Sequence, residues 1–275
     1  MTAQISEPPK RTVLNVGVSK TSYSELTEVC RCWIAKRRNG TGGANARYVC
    51  FLSVHGLITA RDDREVGVIL NAADVVAPDG MPVVWALRSF GIRTQERVYG
   101  PTAMLRLCED AEQHGHRLFL YGGTEDSLAA LGAGLNARFP ELQIVGAYPP
   151  PFRPLTEEED QRVVRKIIES DADIVFVGIS TPKQERWMFQ HRDRFPGVIL
   201  AGVGAAFDFH AGKVRQAPPW IQKHGLEWLF RLWAEPRRLW HRYLVVTPRF
   251  LPLWVVQWFD VRIHRIAWKE APAKH

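Results

Sequence analysis

The sequence predicts an α/β fold: a Rossmann-like, mostly parallel sheet with helices on both faces, plus a C-terminal helical appendage. Three observations carry this. Short apolar runs recur at strand length at 48–54, 75–77, 118–121, 173–177 and 198–203, with the near-continuous hydrophobicity of strands covered on both faces. Helical apolar spacing fills most of the intervals, which is the alternation that builds parallel sheets. After Ala211 the composition shifts to interleaved Arg and Trp, so a different kind of segment begins there.

The elements follow in order. Residues 1–10 are a polar, Pro-bearing leader without the apolar core of a cleavable signal. Residues 11–18 (RTVLNVGV) alternate as a strand or edge hairpin, and 24–36 place Leu26, Val29, Cys30, Trp33 and Ile34 on one helical face. The loop 37–46 contains GTGG, but no strand feeds it and no Lys-Ser or Lys-Thr follows, so it is a turn and not a phosphate loop. The strand 48–54 carries Ser53 and His55 at its C-terminal end, where a lone histidine is more often packed and hydrogen-bonded than catalytic. A helix over 57–73 leads to the strand 75–77, which stops at Pro78, turns at Asp79-Gly80 and re-enters a helix from Met81. A carboxylate at a strand tip before a helix is where open α/β sheets bind ligands; the same position also suits a helix cap.

The strand 118–121 ends in Gly122-Gly123 and runs into a helix over 127–139. Strand, glycine pair and helix turn backbone N–H groups toward an anion, although the full GxGxxG fingerprint is missing. A short strand at 143–146 and a proline-rich loop precede a helix opened by the capping pair Thr156 and Glu159. The strand 173–177 ends in GISTPKQE and the strand 198–203 in GAAFD. Asp79, Gly122, Gly123, Gln184 and Asp208 therefore all fall just past strand ends, which predicts one polar rim and favours the ligand-binding reading of Asp79 over the cap.

With 275 residues, 46% hydrophobic and 24% charged, the chain has the composition of a soluble globular protein with a substantial core. Cys30, Cys32, Cys50 and Cys108 lack metal-ligand spacing, and the expected setting is reduced and cytoplasmic. The net charge of +7 is uneven: from Ala211 onward twelve Lys and Arg face four Asp and Glu, a balance of +8, and seven of the ten tryptophans lie in the same stretch. Such interleaving suits an anionic membrane surface, and no base-reading motif argues for nucleic acid. The most apolar part, 244–259, is broken by Pro248, Arg249 and Pro252 well short of the ~20 residues of a membrane span. The expected organisation is a leader with strand and helix at 1–47, a catalytic core at 48–212 and a basic appendage at 213–275.

PDGMPVVW (78–85), ERVYG (96–100), TPKQERW (181–187), GVGAAFDFHAG (202–212) and LEWLFRLWAEPRRLWHRYL (226–244) together resemble the WecG/TagA/CpsF family of bacterial glycosyltransferases, over roughly residues 48–244. The resemblance implies an inverting, metal-independent enzyme with no cofactor, which moves a sugar from a UDP-sugar to a polyprenyl-diphosphate-linked glycan. It also implies peripheral attachment at the inner face of the plasma membrane through an appendage that closes the site. By the same resemblance Asp79 is the general base, Arg97 lies near the leaving diphosphate, Gln184 lines the sugar pocket and Asp208 stands beside the nucleoside. Arg231, Arg237 and Arg238 are the appendage arginines. A Thr-x-Asn usual in the family is replaced here by Ser53-Val54-His55, which touches the choice of sugar or acceptor.

The chemistry agrees with this. Inverting transfer needs a base for the acceptor hydroxyl and cations or backbone N–H groups for the departing diphosphate. The lone DxD, Asp171-Ala172-Asp173, begins its strand and so falls on the other rim. Two rivals stand beside this reading: a Rossmann-type, nucleotide-sugar-modifying or NAD-dependent oxidoreductase, which would require GxGxxG, and a non-catalytic membrane-binding module, which would need no polar rim. Donor sugar, acceptor glycan and homo-oligomerisation stay open.

Overall fold

A computed structural model of the chain describes residues 7–218, 220–221 and 224–263. Most of the leader, Lys223 and the last three basic tail positions, Arg265, Lys269 and Lys274, with Trp268, lie outside these residues. A hairpin of β1 (Lys10–Val13) and β2 (Val16–Ser19) accompanies one six-stranded sheet. The sheet contains β3 (Arg47–Leu52), β4 (Val75–Pro78), β5 (Arg117–Gly122), β6 (Gln143–Tyr148), β7 (Ile174–Gly178) and β8 (Ile199–Gly202), in the order β4-β3-β8-β7-β5-β6. The pairings β3–β8, β8–β7, β7–β5 and β5–β6 are all parallel, and helices surround the sheet, as the alternation of runs predicted. The chain divides into two compact units assembled from separated segments: residues 23–50 and 100–215 in one, 8–22, 51–99 and 216 onward in the other.

In the first unit β5, β7 and β8 are buried along nearly their whole length, with Val175, Phe176, Val177, Leu200 and Ala201 fully enclosed, whereas the edge strand β6 is only half-buried. The helix α1 (Tyr23–Arg38) buries the five apolar residues its spacing predicted. It packs against a helix not anticipated, α5 (Gly100–His114), whose Ala103, Met104, Leu107, Cys108 and Ala111 form its apolar stripe. Thr124 caps α6 (Glu125–Arg138) by accepting from the Ser127 N–H, and α7 (Glu157–Glu169) opens with the expected capping box. Asp171 and Asp173 are consumed structurally. Asp173 is fully buried and takes Arg37 at 2.9 Å, Arg38 at 2.7 Å and the Arg117 N–H at 2.9 Å, while Asp171 pairs with Arg37 and Arg117.

In the second unit the helix expected at 57–73 is two helices, α2 (Val54–Asp62) and α3 (Arg64–Ala72). Asp63 breaks the run: its extended backbone leaves α2, and its carboxylate caps α3 by accepting from the N–H groups of Glu65 and Val66. The strand expected at 48–54 likewise ends two residues early, at Leu52. Asn71 ties the hairpin to α3, accepting from the Gly17 N–H at 2.8 Å and donating to the Asn15 carbonyl at 2.9 Å. Beyond α4 (Met81–Ser89) the tail forms α10 (Glu227–Ala234), α11 (Pro236–Trp240), a wide π turn over His241–Val246, and α12 (Phe250–Ile263). Side chains fasten α12 and the turn before it within this unit. Gln257 accepts from the Leu14 N–H and donates to the Thr12 carbonyl, Arg249 forks onto Asp62 at 2.7 and 2.8 Å, and the Trp254 indole donates to the Ser89 hydroxyl.

Candidate active site

Asp79 follows β4 directly, and its N–H donates to the Leu52 carbonyl at the end of β3, at 3.1 Å. The cap position of α4 is Gly80, so the helix does not claim Asp79 as its cap residue. Arg97 holds Asp79 instead: Nε donates to the Asp79 carbonyl oxygen, and Nη2 lies 3.2 Å from Oδ1. The other arm of the same guanidinium, Nη1, lies 2.8 Å from Glu227 Oε2 at the start of α10. Tyr99 completes the group, donating its hydroxyl to Glu227 Oε1 at 2.8 Å while its ring lies 4.0 Å from the guanidinium carbon. Burial works against the charge on Arg97, but the Asp79 and Glu227 carboxylates outweigh it and hold the guanidinium protonated well above its ordinary range. One guanidinium thus bridges two carboxylates.

Beside it, Ser53 occupies the cap position of α2 but makes no cap hydrogen bond; its hydroxyl accepts from Arg242 Nη2 at 3.2 Å. Arg242 sits on the π turn, a distortion that recurs at functional sites because it re-aims one side chain. Its buried Nε has no protein partner, and burial lowers its pKa, with Arg231 and Arg238 adding repulsion and Asp79 and Tyr243 opposing it. His55 is half-buried with Nδ1 unpartnered. Burial, reinforced by Arg242 and His241, lowers its pKa to about 4, so the ring is neutral at physiological pH. Arg237 and Arg238 are exposed, and Arg238 pairs with Glu235 at 2.8 Å.

The first unit holds the remaining predicted residues. Gly122, the last residue of β5, has φ +140°, and a Cβ there would stand 2.5 Å from the Gly178 carbonyl oxygen, so only glycine lets β5 and β7 end this close together. Gly123 has φ +66°, and Phe207 packs under Gly178. Gln184 lies in the first turn of α8 (Lys183–His191), donates to the Gly202 carbonyl at 2.8 Å and to Glu185 at 3.2 Å, and leaves its buried Oε1 without a protein partner. Asp208 is half-buried on α9 (Ala206–His210), after β8.

Apart from Arg97, which follows α4, each predicted residue thus stands at or shortly after a strand's C-terminal end, or on the tail. Asp79, Arg97, Ser53, His55 and Arg231 share one unit, and Gly122, Gly123, Gln184 and Asp208 share the other. Arg97 engages Asp79 and Glu227. Sequence reasoning missed Glu227, Tyr99 and Arg242. All three lie inside the quoted stretches ERVYG and LEWLFRLWAEPRRLWHRYL, but only the shared guanidinium and the π turn give them roles.

The model of the family described as glycosyl transferase WecG/TagA/CpsF matches residues 11–263. Two N-acetylglucosaminyldiphosphoundecaprenol N-acetyl-beta-D-mannosaminyltransferases are among the relatives. The one from Bacillus subtilis is 30% identical over 67% of this chain and 70% of its own length, and the one from Bacillus spizizenii is 33% identical over 66% and 68%. Nothing in the fold or in these relatives supports an oxidoreductase.

Proposed function

Since the chain belongs to the WecG/TagA/CpsF family and is a glycosyltransferase, we propose that it moves a sugar from a UDP-sugar to a polyprenyl-diphosphate-linked glycan with inversion, in the synthesis of a cell-wall or exopolysaccharide polymer. The carrying observation is Asp79, fixed at the tip of β4 by an arginine that Glu227 fixes in turn. Asp79 takes the proton of the acceptor hydroxyl as that oxygen attacks the anomeric carbon, and UDP leaves from the opposite face with the bonding pair. A base held on both its backbone and its carboxylate is pre-positioned, so little orientation is lost at the transition state.

Gly122, Gly123, Gln184 and Asp208 hold the donor: the glycines by backbone N–H groups, Gln184 through its unpartnered oxygen, which accepts a sugar hydroxyl. Arg231, Arg237 and Arg238, joined by Arg242, neutralise diphosphate charge. His55, as a neutral imidazole beside Ser53, offers one donor or acceptor nitrogen where the family has an amide, which makes this pair a determinant of sugar or acceptor choice. Both relatives are named for N-acetylmannosamine transfer onto N-acetylglucosaminyl-diphospho-undecaprenol, so that pair of substrates heads the panel to be tried.

No helix among the described residues is long and apolar enough to cross a membrane. Trp233, Leu251, Val256, Phe259 and Ile263 nevertheless stand exposed on the tail among its cations, and we place them against the anionic inner face of the plasma membrane, where the acceptor lipid resides. The test is UDP release by purified full-length protein with a short-chain lipid-diphosphate acceptor and a panel of UDP-sugars. Asp79→Asn is expected to fold and lose about 10²–10⁴-fold in rate, and a chelator is expected to leave the rate unchanged. No UDP release from any donor overturns the transferase assignment of substrates; an Asp79→Asn rate within a few-fold of wild type removes Asp79 as the base.

A further inference from the structure

Away from the residues discussed so far, the end of α5 and the start of β5 bring together Asp110, His114 and His116, whose ligating atoms lie within 4.8 Å of one another. Asp110 and His114 are one helical turn apart on α5. Gly115, at φ +63°, then ends the helix and turns the chain so that His116 returns toward Asp110. His116 is 5% exposed, and neither of its ring nitrogens has a protein partner. That is unusual for a buried polar side chain, and an imidazole with both nitrogens idle is poorly explained as packing alone. Its Nε2 lies 3.7 Å from Asp110 Oδ2, and His114 Nδ1 lies 3.3 Å from Asp110 Oδ1.

We propose that Asp110, His114 and His116 form a binding site for a first-row divalent metal ion, Zn²⁺ by preference, with water completing the coordination. Metal–ligand bonds of about 2.0–2.1 Å in a tetrahedral site separate ligand atoms by about 3.3 Å, so ligand atoms standing within 4.8 Å of one another need to close by at most about 1.5 Å. Two imidazoles and one carboxylate suit Zn²⁺ better than the all-oxygen shells preferred by Mg²⁺ or Ca²⁺. The surroundings also suit a ligand. Arg31 donates through Nε and Nη2 to Asp110 Oδ1 and so orients the carboxylate while leaving Oδ2 turned to His116. Glu28, 2.8 Å from Arg31 Nη1, offsets that positive charge. His114 Nδ1 bonds to the Asp110 carbonyl at 2.9 Å, a contact it exchanges for the metal by moving its proton to Nε2. The ion would fasten the end of α5 to the first residues of β5, at the opposite end of that strand from Gly122.

The experiment uses the tag-free full-length chain, stripped with a chelator, and titrates it with Co²⁺ as a spectroscopic probe and Zn²⁺ as competitor. The expected result is one Co²⁺ per chain with the strong visible absorption of a four-coordinate site, displaced by Zn²⁺, and a melting temperature raised by Zn²⁺. His114→Ala, at the more exposed of the two histidines, and His116→Ala should each weaken binding at least about 10-fold and lose the band. Circular dichroism checks that the variants fold; if His116→Ala does not, His114→Ala decides alone. Absence of the band in wild type, or equal affinity in wild type and His114→Ala, overturns the site.

Discussion

Replacing Arg97 by Met keeps the stem and deletes the charge that Asp79 and Glu227 share. The contacts are 3.2 and 2.8 Å, and all three side chains are less than one-fifth exposed. At an effective dielectric of about 20, each contact carries about 5–6 kcal/mol of Coulomb attraction. Desolvation offsets much of that in the intact protein, and what remains measurable is the cost of leaving two neighbouring carboxylates without their cation, about 3–5 kcal/mol. Against a total stability of about 5–15 kcal/mol this is large. The effect is not a titration of Arg97: its pKa is raised, so its contribution is fully present below the ordinary arginine value and is lost only above it, far from any working pH. Urea unfolding followed by tryptophan fluorescence suits the measurement, because the tail that shares a unit with Arg97 carries most of the tryptophans. Adding Glu227→Gln to Arg97→Met removes one of the stranded charges and should return about 1–3 kcal/mol. An Arg97→Met protein within about 1 kcal/mol of wild type, or a double variant less stable than the single, would refute the shared-cation reading.

Three further outcomes are expected. The His55 ring should titrate near pH 4 by NMR; its depressed pKa means that stability falls as the pH drops from the ordinary histidine range toward 4, because the unfolded chain takes up the proton first. Arg242→Gln, by removing a neighbouring positive charge, should raise that pKa, and an unchanged value would show that Arg242 does not act on the ring. Val256→Glu, at an exposed position of α12, should weaken co-sedimentation with anionic liposomes several-fold without changing the melting temperature; undiminished binding would take α12 out of the membrane contact.

The sheet was legible because strands covered on both faces must be apolar throughout, and each such run in the sequence became a strand at nearly its own length. The candidate residues were legible for a related reason: a parallel sheet gathers the turns after its strands, so polar groups at those positions stand out against apolar neighbours. Helix boundaries set by a single side chain were harder. Asp63 divides 54–72 by capping the second helix, and nothing in the apolar spacing on either side requires a break. The partners of Arg97 were hidden by distance, since Glu227 comes 130 positions later and its pairing depends on tertiary structure. Arg242 was visible as one cation among many; its place on the π turn, its buried Nε and its bond to Ser53, all products of the fold, set it apart.

The interleaving of the two units also fixes an order of events during synthesis. The segment that supplies Glu227, Arg242 and Gln257 leaves the ribosome after residues 8–22 and 51–99, against which it packs. Until then Arg97 has only one of its carboxylates, and the β1–β2 hairpin lacks the glutamine that ties its turn. The nascent chain therefore holds an unfinished second unit for most of its translation, with long loops to close once the tail arrives. The second carboxylate of Arg97 and the exposed apolar positions of α12 are thus delivered by the same late segment, so neither is made without the other.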